Sequence, residues 1–154
     1  MLKLFVMSYT RNYQHIIFCT KNREKTIRED TKRMLFAYIV TVCNNMGAKV
    51  DRINAYYDHL HLLVEVPSTI SVADFVKSIK QKSSAAFNRS VNMPLFQGWG
   101  KGYAAFSVSQ SQRVRVREYI MNQEEHHRVK TFHEEYSDFL RANGFEPDEW
   151  LRKE

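Results

Sequence analysis

The stretch KVDRINAYYDHLHLLVEV, Lys49 to Val66, reads as two strands joined almost without a loop. Tyr57–Asp58 marks a tight connection between Lys49–Tyr57 and His59–Val66, and Pro67, with no N–H for a ladder, ends the second strand. Helical patterns flank this hairpin on both sides. Upstream, Met34, Leu35, Tyr38, Ile39, Val42, Cys43 and Met46 recur at helical spacing, with Thr26 and Glu29 at capping-box distance before them and Gly47 as the stop. Downstream, Ser71 and Asp74 open a helix that gathers Val72, Phe75, Val76, Ile79 and Phe87 on one face. An extended segment, Tyr9 to Thr20, precedes all of this, and Tyr103–Val108 follows the glycine-dotted GWGKG loop (98–102) as a fourth strand.

The order β-α-β-β-α-β predicts an α+β fold of the ferredoxin-like, split βαβ kind: a four-stranded antiparallel sheet with both helices on one face. Two further helices follow. One is opened by Ser109 or Ser111 and runs to about Arg128, and one spans Phe132 to Arg141 and ends at Asn143–Gly144. A single domain over 1–145 and a charged tail over 146–154 are expected. The second sheet face stays open unless something covers it, and the first of those helices, coming after the complete unit, need not pack on its own sheet.

Composition agrees with one folded domain. The chain has 154 residues, 44% hydrophobic and 26% charged, which excludes disorder; five glycines and three prolines exclude collagen-like and low-complexity readings. No run approaches the roughly 18–20 apolar residues that span a bilayer, and the opening MLKLFVM is too short for a secretory core. Cys19 and Cys43 sit in apolar runs without a CxxC, as reduced core thiols of a cytoplasmic protein do. Lys and Arg exceed Asp and Glu by 23 to 17, a net +6 that favours a polyanionic partner, nucleic acid first.

Two motifs carry chemistry. In His59-Leu60-His61, strand alternation puts both imidazoles on one sheet face and Leu60, Leu62 and Val64 on the other, so the pair can chelate one divalent metal; two exposed strand histidines are the alternative. In Tyr119-Ile-Met-Asn-Gln123, the phenol and the amide stack one helical turn apart, with Arg115 and His126 on the same face; a solvated charged helix is the alternative there. Together they suggest a metal held by His59, His61 and the Gln123 oxygen, with positions left for a phosphodiester that the Tyr119 hydroxyl attacks. Oxygen donors favour Mg²⁺ or Mn²⁺, and the absence of a Cys or carboxylate ligand cluster argues against structural zinc.

With these residues in view, the chain resembles the HUH single-tyrosine transposases, the transposase A proteins of the insertion-sequence two-hundred/six-hundred-and-five group. The resemblance runs over almost the whole length and rests on YQHIIFCTKNR (13–23), DHLHLLV (58–64), YAAFSVS (103–109) and, most firmly, YIMNQEEHH (119–127). It implies a metal-dependent transposase of single-stranded DNA, with Tyr119 forming a 5′-phosphotyrosine link and His59, His61 and Gln123 holding one Mg²⁺ or Mn²⁺. It also implies a homodimer that recognises subterminal hairpins, with active sites shared between subunits where the tyrosine helix serves the partner. Ala104 stands where many relatives have glycine, and Gln123 favours the mobile-element branch over the repeat-associated group, which typically has Asn-Pro. A domesticated hairpin-binding protein and a replication-initiator-type nuclease are the competing readings.

For the DNA surface, Lys77, Lys80, Gln81, Ser84 and Asn88 fall on the polar side of their helix and can track phosphates or simply be solvated. Lys21, Arg23 and Arg52 lie at strand ends near the open face, and Arg115 belongs to a positive helix start. Trp99 and Tyr103 can stack on unpaired bases or pack at the rim.

Overall fold

Strand β1 (Tyr13–Cys19) occupies the middle of the sheet, and its first six residues are buried. The computed structural model describes residues 8–123, 125 and 129–147. β1 pairs antiparallel with β3 (His59–Glu65) and with β4 (Ala104–Val108), and β2 (Lys49–Tyr56) adds outside β3, giving the order β2-β3-β1-β4. This is the ferredoxin-like order, with α1 (Lys32–Asn45) and α2 (Val72–Phe87) as the two crossovers.

Alternation sends Ile16, Phe18, Leu60, Leu62 and Val64 to one side, where they pack on Leu35, Ile39 and Val42 of α1 and on Phe75, Val76 and Ile79 of α2. Each such side chain contributes about 1.5–3 kcal/mol on burial, so this layer is the main core. The opposite face is not open. Helix α4 (Phe132–Ala142) lays Phe132, Tyr136, Phe139 and Leu140 on Ile17, Ala104 and Phe106, forming a second, smaller core. Helix α3 (Arg113–Met121) covers β2 and β3 of its own chain.

Three contacts hold α3 there. Ile120 is fully buried. Asn54 Nδ2 donates to the Ile120 carbonyl at 2.8 Å. Asp51, the extra residue of a β-bulge between Val50 and Arg52, takes Arg117 through both carboxylate oxygens and lies 3.3 Å from Arg113 Nε. The bulge re-aims one side chain out of the ladder, and the acidic group it frees meets the arginine-rich start of α3.

Some boundaries differ from the sequence reading, each for a local reason. α1 begins at Lys32, not after Thr26, because the fully buried Ile27 bonds through its N–H to Tyr57 O at 2.9 Å and ties the preceding segment to the sheet. Thr31 Oγ1 meanwhile accepts from Arg28 N–H. β1 begins at Tyr13, since Tyr9 is exposed. Ser109 and Ser111 bond to each other at 3.1 Å and neither caps α3, which is entered through a 3-10 turn at Gln110–Gln112. The expected helix end at Arg128 lies outside the described residues, as do the opening MLKLFVM, His126, His127 and most of the charged tail. Ser71 caps α2 as read, accepting from Asp74 N–H at 3.0 Å. Among the described residues no helix is long and apolar enough to cross a membrane. Both cysteines are free, and burial pushes each thiol up to about 12.

Candidate active site

β3 delivers His59 and His61 to the face under α3 and α4, and both are fully buried. Register places Cys19 opposite His59 and Ile17 opposite His61 on β1. Gln123, just past α3, is also fully buried, with Nε2 3.3 Å from His59 Nε2. The Tyr119 ring stands 6.2 Å from the His61 ring and edge-on to Phe139 at 5.3 Å. The four residues named from the sequence therefore meet in one place, within one chain.

A fifth residue was missed. Glu135 of α4 is 3% exposed, and its Oε1 lies 2.9 Å from His61 Nε2 and 3.8 Å from His59 Nε2. Gln123 Nε2 reaches both of its oxygens at 3.4 Å, and the Tyr119 hydroxyl also bonds to it. The absence of a carboxylate ligand inferred from sequence spacing is thus overturned: the donor atoms of His59, His61 and Glu135 lie within 4.8 Å of one another. The signal was there, since a lone carboxylate interrupts the Phe132, Tyr136, Phe139, Leu140 stripe, but no local spacing links it to β3.

His15 of β1 is the other omission. It is 2% exposed, stacks on His61 with centroids 5.1 Å apart, and its Nε2 lies 2.8 Å from His61 Nδ1. Burial, and after it the neighbouring His61, hold the His15 pKa well below the usual value, so this imidazole is neutral. A neutral His15 that accepts at Nε2 fixes a proton of His61 on Nδ1 and leaves Nε2 facing Glu135, to donate to it or to ligate an ion. Asp58 does the same for His59 by accepting from Nδ1 at 2.7 Å. Both imidazoles then present Nε2 to the same spot.

That donor set, two oriented imidazoles and a carboxylate with an amide beside them, fits one divalent ion. A half-turn of the Gln123 amide exchanges its nitrogen for its oxygen without moving anything else. Without the ion, the cluster is held by protons. Burial alone would raise the Glu135 carboxyl, but the His61 and Tyr119 hydrogen bonds and the charges of His61 and His59 outweigh it and bring it to about 2. The Tyr119 phenol is pushed far up, first by burial and then by the Glu135 charge, so it is a protonated alcohol in this state.

The predicted DNA contacts separate into two groups. Lys21 and Arg23 lie on a 3-10 turn beside the site, with the Arg23 guanidinium 4.9 Å over the Phe132 ring. Arg115 is exposed on α3 and Lys77 on α2, the latter on the far side of the sheet from the histidines. Arg52 is half-buried beside Tyr13, Arg113 and Arg117. Two assignments are corrected. Trp99 is core: it is 9% exposed, its ring is edge-on to Phe18 and Phe96 and its Nε1 donates to Ser83 at 2.7 Å, so little of it is left for a base to stack on. Lys80 is spent inside the molecule, donating to Gly100 O at 2.7 Å and Gly102 O at 2.8 Å.

A ferredoxin-like sheet whose strand β3 lifts two histidines to a tyrosine of α3 and a glutamine just past it is the architecture of the tyrosine-dependent HUH class. Comparison with known proteins narrows it. The sequence profile of the family described as "Transposase IS200 like" matches residues 8–123, and the chain belongs to that family of single-tyrosine transposases. It is 25% identical over 114 residues, 71% of this chain and 74% of the relative, to the transposase for insertion sequence element IS200 of Salmonella typhimurium, and equally to that of Salmonella typhi. Its fold is that of a candidate transposase from Deinococcus radiodurans (TM-score 0.58, 22% identity, 79% of this chain and 98% of that one). A REP-associated tyrosine transposase solved with a REP hairpin shares it too (TM-score 0.57, 13% identity, 82% and 74%).

Proposed function

We propose that this chain cuts and rejoins single-stranded DNA at hairpin-marked element ends through a 5′-phosphotyrosine intermediate. The observation that carries the reading is the convergence of Tyr119, Gln123 and Glu135 on the buried His59–His61 pair. A hairpin-binding protein has no use for that much buried polar chemistry, which costs stability wherever it is not needed for function.

His59, His61 and Glu135, with the Gln123 oxygen, would hold one Mg²⁺ or Mn²⁺, which would supply Lewis-acid polarisation of the scissile phosphate. Tyr119 Oη forms the new bond to phosphorus, the P–O3′ bond breaks, and the 3′-oxygen leaves and takes up a proton. Glu135, already bonded to the phenol, is placed to accept the tyrosine proton. Because the ester keeps the bond energy, a 3′-hydroxyl of another strand rejoins by the reverse step without ATP. His15 and Asp58 hold the imidazoles in the ligating tautomer throughout.

One tyrosine handles one strand end, so two copies of the chain serve the two ends of an element. The latch of α3 on its own sheet through Asp51 supports a site completed in cis.

Incubation with single-stranded hairpin DNA and Mn²⁺, followed by denaturing electrophoresis, tests the reading. A covalent adduct that vanishes in Tyr119→Phe and with chelator is expected. An adduct that persists in Tyr119→Phe overturns the nucleophile assignment. Mixing Tyr119→Phe with His61→Ala subunits restores no activity if sites are completed in cis; restoration shows that α3 crosses to the partner.

A further inference from the structure

The two histidines of β3 are oriented in different ways. His61 takes both of its restraints from one residue, since His15 stacks on its ring and accepts from its Nδ1. For His59 the two are separate. Asp58 accepts from Nδ1 at 2.7 Å and fixes the rotation of the ring within its plane. The Phe132 ring lies against the imidazole, with centroids 3.9 Å apart and planes inclined by 21°. We infer that Phe132 sets the plane of the His59 imidazole and that Arg23, lying over the Phe132 ring, acts on His59 through it. Both are positioning residues of the metal site, an inference that rests on the proposed ligand role of His59.

Three observations carry it. First, one helix start delivers the ring and the carboxylate together. Thr131 Oγ1 accepts from Glu134 N–H at 3.2 Å, and Thr131 N–H donates to the Glu134 carboxylate at 3.0 Å, a capping box that fixes the start of α4. Phe132 and Glu135 follow three residues apart, on one face of the helix. The seat of Phe132 on His59 therefore also sets the reach of the Glu135 carboxylate, 2.9 Å from His61 and 3.8 Å from His59.

Second, Arg23 is brought to the ring by costly backbone. Asn22 and Arg23 both take left-handed φ, 57° and 55°, which non-glycine residues keep only where the surroundings enforce it. The guanidinium carbon lies 4.9 Å from the centre of the buried Phe132 ring. That is within the roughly 6 Å of a cation–π contact, which strengthens where water is excluded. Third, the same turn holds the other restraint on His59. The N–H and the hydroxyl of Thr20 both donate to the Asp58 carbonyl, at 2.9 and 3.2 Å, and Arg23 N–H donates to the Thr20 carbonyl at 2.9 Å. The turn after β1 thus reaches His59 twice, through Asp58 and through Phe132.

The test uses the full chain without DNA. Mn²⁺ titration calorimetry compares the parent with Phe132→Leu, Arg23→Met, Arg23→Lys and the Phe132→Leu/Arg23→Met double variant. Phe132→Leu keeps an apolar side chain but no ring, and should weaken Mn²⁺ binding about tenfold, the lower end of what residues supporting metal ligands contribute. Arg23→Met should weaken it roughly threefold, and Arg23→Lys should recover most of that loss, since the ring attracts either cation. The double variant should bind no more weakly than Phe132→Leu, because Arg23 acts through the ring that is gone. In the metal-free protein the His59 ring protons, shielded by the Phe132 face, should move downfield in the NMR spectrum of Phe132→Leu, a shift that a general loss of stability does not produce.

Parent-like Mn²⁺ affinity in Phe132→Leu and Arg23→Met, or losses that simply add in the double variant, overturn the inference. So does an Arg23→Met protein that binds Mn²⁺ like the parent but single-stranded DNA more weakly, because Arg23 is then a phosphate contact. If Phe132→Leu does not fold, the comparison of Arg23→Met with Arg23→Lys decides by itself. Coupled losses of Mn²⁺ affinity without any Tyr119 adduct on hairpin DNA support the positioning pair and overturn the cleavage reading; an adduct without such coupling does the reverse.

Discussion

Replacing Glu135 by glutamine isolates the residue that ties the site together. The substitution keeps the volume and one carbonyl acceptor but removes the charge that takes His61 at 2.9 Å, Gln123 at 3.4 Å and the Tyr119 hydroxyl in a position only 3% exposed. A hydrogen bond to a charged partner contributes about 1.5–3 kcal/mol, so a loss of about 2 kcal/mol is expected for the metal-free protein. For a domain of this size that lowers the Tm by roughly 4–8 °C. The pH dependence changes as well. Glu135 titrates near 2 in the fold against an ordinary 4.5, so its contribution is present above about pH 4.5 and is lost as pH falls from there toward 2. Thermal unfolding of the parent should therefore weaken over that window, and the Glu135→Gln curve should be flatter across it. Mn²⁺ affinity, measured by titration calorimetry, should drop at least roughly 100-fold, more than is typical for a supporting residue. Parent-like Mn²⁺ affinity in Glu135→Gln would refute the view that the carboxylate is a ligand, and an unchanged acid limb would refute the claim that it anchors the histidines.

His15→Phe keeps the stacking on His61 but removes the Nε2 acceptor that faces His61 Nδ1; Mn²⁺ binding should weaken about 10–100-fold, and recovery in His15→Gln, which restores an acceptor, separates orientation from packing. Asp51→Asn unlatches α3 from β2 and should slow Tyr119 adduct formation several-fold with Mn²⁺ affinity little changed, whereas parent-like rates would show that the arginine clamp does not position the tyrosine. Trp99→Ala should cost about 3–5 kcal/mol in denaturant unfolding, as a core cavity does; a variant that folds like the parent yet loses DNA affinity would return Trp99 to the binding surface.

Much of this protein is legible in its sequence. Strand and helix periodicity along Lys49–Val66 and its flanks suffices for the ferredoxin-like order, because alternation and helical spacing record which side of each element is buried. The same local geometry makes His59 and His61 share a face and puts Tyr119 one turn from Gln123, so both halves of the site were readable, and the family resemblance implied their meeting. The misreadings have one cause. Trp99 and Lys80 look like surface groups in a glycine-rich loop and on a polar helix face, but Ser83 and the loop carbonyls that engage them come from other elements.

What tertiary structure alone decided is which distant groups converge. Glu135 lies 74 residues from His61 and His15 lies 46 before it. No periodicity relates such positions. Only the antiparallel register sets His15 against His61, and only the packing of α4 on the second sheet face lowers a carboxylate onto both imidazoles. The sequence by itself specified the sheet, the two motifs and their chemical character; the docking of two helices on a face that could have stayed open turned them into one buried site.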